Sequence, residues 1–319
     1  MRSLALAKAF PAGAEISFIS KANPKVEDLI TKSGYEIFTL EPDLDYQAEL
    51  DKVKEIIKKN QVEILITDSY ELEQSYLIEL KEVVDKLISI HDFVPYAFPS
   101  DIVVNGNIYA PKLDYQSTTA KTDFLLGPKY TLMREEFQDL SRNTINKDIK
   151  SLLITVGGSD KLNLTPKIIK AVEGLEQDLH LDVVVGPGFE NTAEILNTTQ
   201  EIDLEIALHF NVAKMSELML ANDIAISAGG STLYELAATG TPTLTLLQAD
   251  NQIKVAQAMA EAGTIINLGF GDKVAGDELS AELKRLTNDF QKRKEMSVKG
   301  QNLIDGQGAE RTADYILHS

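Results

Sequence analysis

The feature that most constrains the fold is a regular alternation of short apolar runs with amphipathic stretches. In the first half, the apolar runs that indicate strands are residues 15–20, 35–40, 62–68, 86–92 and 101–107. Amphipathic stretches with helical spacing separate the first four of these runs. Parallel strands joined by helical crossovers produce this alternation. The sequence therefore predicts the α/β class, with doubly wound parallel sheets.

The second half repeats this arrangement from residue 151 onward. Its predicted strands are residues 151–158, 181–188, 205–210, 222–231 and 241–247. A chain of 319 residues suits two domains of about 150 residues each. The polar segment 141–150 is the best candidate for a linker. We therefore predict a first domain of residues 1–145 and a second of residues 146–319, each Rossmann-like, although no sequence repeat relates them.

The charge and composition exclude several classes of protein. The formal net charge is -18, which repels nucleic acid and anionic membrane surfaces. An anionic ligand must then be held by local donors, such as backbone N–H groups and helix N-termini. The chain has no cysteine, which excludes disulfides, a thiol nucleophile and thiolate metal sites. No nucleic-acid partner is expected.

Hydropathy gives an expectation for the compartment. No apolar run approaches 18 residues, so no membrane insertion is expected. The opening MRSLALAKAF superficially suggests a signal peptide, but Lys8 interrupts its apolar stretch. We interpret this segment as part of a folded helix and expect a cytoplasmic protein. The sequence leaves the oligomeric state open.

The strongest local motif is a glycine pair that joins a buried strand to a helix. Gly229, Gly230, Ser231 and Thr232 offer backbone N–H groups without a Cβ, two hydroxyls and a helix N-terminus, which together suit a phosphate. Glu235 follows one helical turn later, where its carboxylate can accept ribose hydroxyls. The alternative is a tight strand–helix turn with a solvated Glu235, and the loop alone leaves both open. It is not a P-loop, because no lysine follows the glycines at the required spacing.

Two other strand ends of the second half carry polar groups. Gly158 lies in a second glycine loop, for which a simple turn is the alternative. Asn251 and Gln252 open a predicted helix and offer amide groups to sugar hydroxyls. Asp250 beside them has a simpler explanation as a helix cap.

In the first half, ligand-binding residues are expected beyond the carboxyl ends of the strands. Asp68 and Tyr70 follow one strand, and a turn would also explain them. His91 ends another and is a weak candidate for a general base, with Asp92 placed to fix its tautomer. A structural role for His91 is the alternative, and His209 is expected to be a core histidine. No His or carboxylate set has metal-ligand spacing, so neither a metal nor a cofactor is predicted.

Six sequence blocks together resemble a known family. They are DSYELE (68–73), DIVVNGN (101–107), LLGPKYTLMREEF (125–137), LLITVGGSDKLNLT (152–165), DIAISAGGSTLYELAATGTP (223–242) and ADNQ (249–252). In this order and spacing they resemble the UDP-2,4-diacetamido-2,4,6-trideoxy-β-L-altropyranose hydrolases of pseudaminic acid biosynthesis and their relatives in spore-coat polysaccharide biosynthesis. The resemblance implies a GT-B-like fold, with two domains facing a cleft and a last helix, about 308–318, that returns to the first domain.

The resemblance also implies an activity and roles for residues. The family hydrolyses the anomeric bond of its UDP-sugar with inversion, releases UDP and the free sugar, and needs no metal. The glycine loop at Gly230 with Ser231 and Thr232 would hold the diphosphate, and Glu235 the ribose. Tyr70 and Asn251 would face the sugar and the attacking water; the family block beginning at Asp68 is assigned to the sugar as well.

One departure from the family concerns the general base. Family members begin with a strand and a G-x-G-H loop, which precede an R-x-L-A-L-A helix; residues 2–7 here align with that helix. The catalytic histidine would therefore lie upstream of Met1, either because the sequence starts late or because hydrolysis has been lost. A glycosyltransferase with an acceptor in place of water, and a UDP-sugar-binding protein without turnover, are the competing functions.

Overall fold

The computed structural model describes residues 1–119, 121–142, 144–175 and 178–319. The chain divides into two compact units, one formed by Met1–Arg134 with Gln307–Ser319 and the other by Glu135–Gly306. The predicted boundary between residues 145 and 146 lies further along the chain. Residues before it already pack in the second unit: Glu136 accepts hydrogen bonds from Ser216, and Arg142 donates to the carbonyl of Met219 at 2.7 Å.

Helices and strands alternate along the chain. The strands are β1 (Ser17–Lys21), β2 (Glu36–Leu40), β3 (Ile64–Thr67), β4 (Lys86–Ile90), β5 (Ile102–Asn105), β6 (Asp123–Leu126), β7 (Ser151–Thr155), β8 (His180–Val185), β9 (Glu205–Phe210), β10 (Ile224–Ala228), β11 (Thr243–Leu247) and β12 (Ile265–Phe270). The helices are α1 (Arg2–Ala9), α2 (Pro24–Lys32), α3 (Tyr46–Lys59), α4 (Gln74–Lys81), α5 (Leu164–Glu173), α6 (Thr192–Glu201), α7 (Met215–Ala221), α8 (Thr232–Ala238), α9 (Ile253–Glu261), α10 (Gly276–Asn288), α11 (Phe290–Leu303) and α12 (Gly308–His318).

Local sequence explains where several helices begin. The side chain of Asn23 accepts a hydrogen bond from the backbone of Lys25 at 3.1 Å, and Pro24 occupies the first helical position of α2. Asp45 caps α3 in the same way through the backbone N–H of Ala48, at 2.8 Å. These caps satisfy N–H groups that have no partner inside the helix.

All strand pairs within the described residues are parallel. The second unit contains one six-stranded sheet in the order β12-β11-β10-β7-β8-β9, and the first contains a four-stranded sheet β3-β4-β5-β6 and a two-stranded sheet β1-β2. The predicted α/β class with parallel sheets is thus confirmed. The first half contains two sheets rather than one, because β1 and β3 are not hydrogen-bonded to each other.

The two sheets of the first unit share a hydrophobic cover. Ile19 of β1 and Leu65 of β3 pack in one cluster with buried residues of α3 and α4, among them Leu50 and Leu80. On the other side, a second cluster joins α1 and α12 to the four-stranded sheet through Leu6 and Ile316. The amino- and carboxy-terminal helices therefore belong to the same hydrophobic core.

The central strands of the second unit are almost completely buried. All five residues of β10 and all five of β11 are buried, as expected for parallel strands covered on both faces. Helix α5 packs on this sheet through Leu164 and Ile168, both 0% exposed. Within the described part of the chain, no helix combines the length and apolar character needed to cross a bilayer.

Candidate functional site

The second unit carries two glycine loops at the carboxyl ends of neighbouring strands. β7 leads into Gly157 and Gly158, and the adjacent strand β10 leads into Gly229 and Gly230. Gly157 has φ +96°, a conformation in which a side chain would be strained. A Cβ at Gly158 or at Gly230 would meet no heavy atom within 4 Å. The backbone at these two positions therefore faces open space.

Gly229 and Gly230 differ in the reason for lacking a side chain. A Cβ at Gly229 would lie 2.5 Å from Cδ2 of Leu247 and 2.9 Å from Cβ of Gln252, so packing alone requires glycine there. No such contact constrains Gly230. The open position of the pair is therefore Gly230, where a ligand can approach the backbone closely.

Two glutamines after β11 connect these loops. Nε2 of Gln248 donates to the carbonyl oxygens of Val156 and Ser159, at 2.8 and 3.2 Å. Oε1 of Gln252 accepts from the backbone N–H groups of Gly229 and Gln248, at 3.2 and 2.8 Å. We expected Gln252 to contact sugar hydroxyls, but its amide oxygen is directed into the protein and supports the loop.

The remaining predicted residues of this edge are accessible. Ser231 is exposed, and its side chain makes no capping hydrogen bond to α8. Thr232 and Glu235 are the two half-buried positions of a helix whose other residues are buried, so they share its outer side. Asn251 is exposed in a short 3₁₀ helix before α9. These side chains lie where a ligand in solution can reach them.

The first unit contains a second polar cluster, centred on Arg2 at the start of α1. Its guanidinium donates to both carboxylates that follow β3 and β4: Nη2 lies 2.6 Å from Oδ1 of Asp68, and Nη1 lies 2.8 Å from Oδ1 of Asp92. Oγ of Ser3 lies 2.5 Å from Oδ2 of Asp68. Asn107, after β5, donates to Asp92 at 2.7 Å. One cation thus fixes two carboxylates at the carboxyl edge of the sheet.

This cluster sets the protonation of Asp68 and Tyr70. Burial by itself would raise the pKa of Asp68, but the hydrogen bonds and charge of Arg2 outweigh it and hold that pKa below its ordinary value. Burial and the hydrogen bond that Tyr70 donates to Asp92 raise the pKa of the Tyr70 phenol to about 12. At neutral pH, Asp68 is therefore an anion and Tyr70 keeps its proton.

His91 lies at this edge but is enclosed. It is 4% exposed, its Nδ1 is near the backbone N and O of Phe93, and its Nε2 is buried without a hydrogen-bond partner in the described chain. We expected Asp92 to fix its tautomer; instead Asp92 binds Arg2, Tyr70 and Asn107. Burial lowers the pKa of His91. It is a neutral histidine among aromatic rings, which fits the structural alternative.

Two other histidines lie on neighbouring strands of the second unit. His209 was expected in the core but is partly exposed on β9, with its Nε2 2.5 Å from Oδ1 of Asp182. His180 of β8 lies 3.4 Å from the same oxygen. Throughout the described ranges, no group of three or more His, Cys, Asp or Glu side chains is arranged to hold a metal ion.

Sequence reasoning missed Arg2, Asn107 and Gln248. Arg2 belongs to a helix that the apolar pattern alone predicts. Its carboxylate partners, Asp68 and Asp92, are 66 and 90 residues further along the sequence, so no local pattern links them. Gln248 directly follows β11, and Asn107 is the second residue after β5. The rule that identified Asp68, a polar residue just after a buried strand, would have found both.

A match to a known protein family covers the part of the chain that carries the two glycine loops. Residues 151–311, about half of the chain, match the glycosyltransferase family 28 C-terminal domain. The chain therefore belongs to this glycosyltransferase family. The matched region contains both glycine loops and the two glutamines that connect them.

Three relatives make the family resemblance more specific. The chain is 28% identical to an uncharacterized protein of Methanocaldococcus jannaschii, over 75% of this chain and 50% of that protein. It is 27% identical to the spore coat polysaccharide biosynthesis protein SpsG of Bacillus subtilis, over 82% of this chain and 78% of the relative. It is 33% identical to the Helicobacter pylori pseudaminic acid cytidylyltransferase and UDP-2,4-diacetamido-2,4,6-trideoxy-beta-L-altropyranose hydrolase, over 60% of this chain and 35% of the relative.

These matches confirm the resemblance drawn from the sequence blocks. The matched region spans about half the length of the Methanocaldococcus protein and about a third of the Helicobacter protein. Both relatives are therefore longer proteins, of which this chain corresponds to a part.

Solved structures show the same fold. MurG of Acinetobacter baumannii has a TM-score of 0.74 at 13% identity, covering 100% of this chain and 95% of MurG. MnaA of S. aureus, solved with UDP, has a TM-score of 0.64 at 14% identity, covering 99% of this chain and 92% of MnaA. The α/β fold of this chain is thus GT-B-like.

Proposed function

We propose that this chain binds a UDP-linked 2,4-diacetamido-2,4,6-trideoxy sugar and hydrolyses its anomeric bond to give UDP and the free sugar. The observation that carries the proposal is the open backbone at Gly158 and Gly230, on adjacent loops of the unit that matches the family. The relative from Helicobacter pylori, named as a hydrolase of such a substrate, supports the choice of sugar and reaction.

In this proposal the second unit holds the nucleotide. The diphosphate binds at Gly158 and Gly230 and to the hydroxyls of Ser231 and Thr232. A chain with a net charge of -18 repels an anion at long range, so these local donors must provide the attraction. Glu235, on the same side of α8 as Thr232, accepts the ribose hydroxyls.

Tyr70 and Asn251 are assigned to the sugar and the attacking water, and Asp68 to the sugar. Tyr70 keeps its proton at neutral pH and donates it to Asp92, so its phenol oxygen is left to accept a hydrogen bond from the sugar or the water. In the reaction, the water oxygen forms a bond to the anomeric carbon on the face opposite UDP. The bond between that carbon and the phosphate oxygen breaks, its electron pair leaves with UDP, and the proton lost by the attacking water passes to the surrounding solvent. Inversion at the anomeric carbon follows.

Binding without turnover is a second candidate function, and the first unit provides the observation that favours it. Nε2 of His91 is enclosed, and Asp68 and Asp92 are both paired with Arg2. Asp68 is a weak base because Arg2 holds its pKa below the ordinary value, and an enclosed imidazole cannot reach a water. If turnover is absent, these groups account for it.

A turnover assay separates the candidates. The chain is incubated with UDP-2,4-diacetamido-2,4,6-trideoxy-β-L-altropyranose in EDTA, and UDP and sugar are followed by proton NMR. UDP and free sugar formed without an acceptor, with inversion in the first product, indicate the hydrolase. Release of UDP only with an added acceptor indicates a transferase, and calorimetric binding without release indicates a binding protein. Absence of UDP binding would refute the proposal.

A further inference from the structure

Two aromatic rings stand exposed beside the polar cluster of the first unit. Tyr70 follows β3 and is 56% exposed, and Phe93 follows β4 and is 39% exposed. Their ring centroids are 5.4 Å apart with an interplanar angle of 59°. We call this pair the aromatic shelf. Since the carboxyl ends of parallel strands are where such sheets bind ligands, the shelf lies at the functional edge of this sheet.

The shelf is held in place from below and from the side. His91 packs edge-on beneath both rings, with centroid distances of 5.4 Å to Tyr70 and 6.1 Å to Phe93. His91 rests in turn on the rings of Tyr96 and Phe98. The phenol of Tyr70 donates to Asp92, which fixes its ring. The enclosed His91 thus acts as a support for two rings whose outer surfaces remain in solvent.

Exposed rings that are fixed at a ligand-binding edge indicate a ligand with apolar surface. Single exposed apolar side chains are common, but adjacent rings at a functional edge are typical of binding sites. The carboxylate beside Tyr70 is already engaged, because Asp92 accepts from Arg2, Tyr70 and Asn107. This edge therefore suits a sugar with few hydroxyls better than a hydroxyl-rich hexose.

The sugar of the proposed function has this chemistry. A 2,4-diacetamido-2,4,6-trideoxy hexose carries methyl groups on both acetyls and at C6, and a single ring hydroxyl beyond the anomeric position. Methyl groups placed over an aromatic face leave water and gain dispersion contacts. An ordinary N-acetylhexosamine has only one such methyl group.

We propose that Phe93 is a specificity-determining residue, whose ring packs with Tyr70 against the methyl groups of the bound sugar. The proposal rests on the proposed function for its substrate class. In this arrangement Phe93 adds affinity for deoxy, N-acylated sugars and little for hydroxyl-rich ones. UDP without its sugar carries none of these methyl groups, so its affinity should not depend on Phe93.

The test compares Phe93→Ala, Phe93→Leu and the unchanged chain in binding to three ligands: UDP, UDP-N-acetylglucosamine and the UDP-linked diacetamido trideoxy sugar. Leu29→Ala is the matched control, since Leu29 is 40% exposed and lies on α2. We expect Phe93→Ala to weaken the trideoxy ligand about 10-fold and to leave UDP unchanged, as removal of one well-packed apolar group does. Phe93→Leu should recover most of the loss, and Leu29→Ala should match the unchanged chain.

Saturation-transfer NMR provides an independent readout on the sugar itself. Irradiation of aromatic protons should transfer most strongly to the acetyl and C6 methyl protons. Phe93→Ala should weaken that preference, with the remaining transfer coming from Tyr70. The inference is overturned if Phe93→Ala binds the trideoxy ligand as tightly as the unchanged chain, or if it weakens all three ligands equally. Failure of the unchanged chain to bind UDP would instead refute the proposed function on which the inference rests.

Discussion

Gly229 and Gly230 allow an experiment that distinguishes an effect on stability from an effect on ligand binding. Gly229→Ala would place a Cβ 2.5 Å from Leu247 and 2.9 Å from Gln252, whereas Gly230→Ala would place one in open space. The two substitutions are chemically identical and one residue apart. We expect the first to damage the fold and the second to damage the site.

The magnitudes follow from the contacts. Overpacking in a close-packed region costs about 1–3 kcal/mol of unfolding free energy, which is the range expected for Gly229→Ala. A substitution that meets nothing stays within about 0.5 kcal/mol, so Gly230→Ala should unfold at nearly the same urea concentration as the unchanged chain. If Gly230 approaches the diphosphate, its new methyl displaces a charge-assisted hydrogen bond that contributes about 1.5–3 kcal/mol. The affinity for UDP should then fall about 10- to 150-fold.

The assay is urea unfolding with and without UDP, together with calorimetry. At a UDP concentration of 100 times the Kd, the unchanged chain should gain about 2.7 kcal/mol of stability. A variant that binds about 100-fold more weakly should gain only about 0.4 kcal/mol at the same concentration. If Gly230→Ala binds UDP as tightly as the unchanged chain, the diphosphate does not bind at this loop. If Gly229→Ala is as stable as Gly230→Ala, the packing argument is wrong.

Three further predictions concern single side chains. Glu235→Ala should weaken UDP by about 1–3 kcal/mol and leave inorganic diphosphate unaffected in calorimetry, because only UDP carries a ribose; equal effects on both ligands would contradict the ribose assignment. Arg2→Gln should lower the unfolding free energy by about 1–3 kcal/mol at pH 7, because Asp68 and Asp92 lose their cation. The pKa of Asp68 is lowered in the folded state, so this stabilisation is present above its unfolded pKa of about 3.9 and is lost as pH falls through the folded pKa. A difference between the two chains that does not shrink as pH falls below about 3.9 would count against it. The pKa of His91 is also lowered on folding, so below about pH 6.5 the unfolded chain binds a proton that the folded chain does not, and the unfolding free energy falls by at most about 1.4 kcal/mol per pH unit. Unfolding curves at pH 7.5 and 5.5 should show less of this loss in His91→Asn. The exposed control His318→Asn should behave like the unchanged chain.

Elements with a strong local pattern could be predicted from sequence, and those stabilised by tertiary contacts could not. β10 and β11 are short runs of aliphatic residues with only Ser or Thr among them, and the α2 and α3 caps are visible as Asn23 and Asp45. Helix α6 has the sequence TAEILNTTQE, which is rich in weak helix formers, and it was not predicted. Its Ile195 and Thr198 are nonetheless buried, so packing on the sheet compensates for poor propensity. Strand β12 contains Gly269 at φ +83° beside an irregular register, which weakens its pattern.

The candidate site also contains residues that a local pattern predicts and residues that only the fold brings together. Gly230, Ser231, Thr232 and Glu235 come from one segment, so their spacing alone suggested a shared ligand. The cluster at Arg2 draws on positions 66 and 90 residues away, and only the folded topology brings them together. A rule based on strand ends still anticipated half of that cluster, because every parallel strand delivers its next residues to the same edge. The rule could not predict Arg2, because Arg2 lies at the start of a helix and not at the end of a strand. The pairing of Asp92 with Arg2 rather than with His91 was therefore not predictable from strand ends.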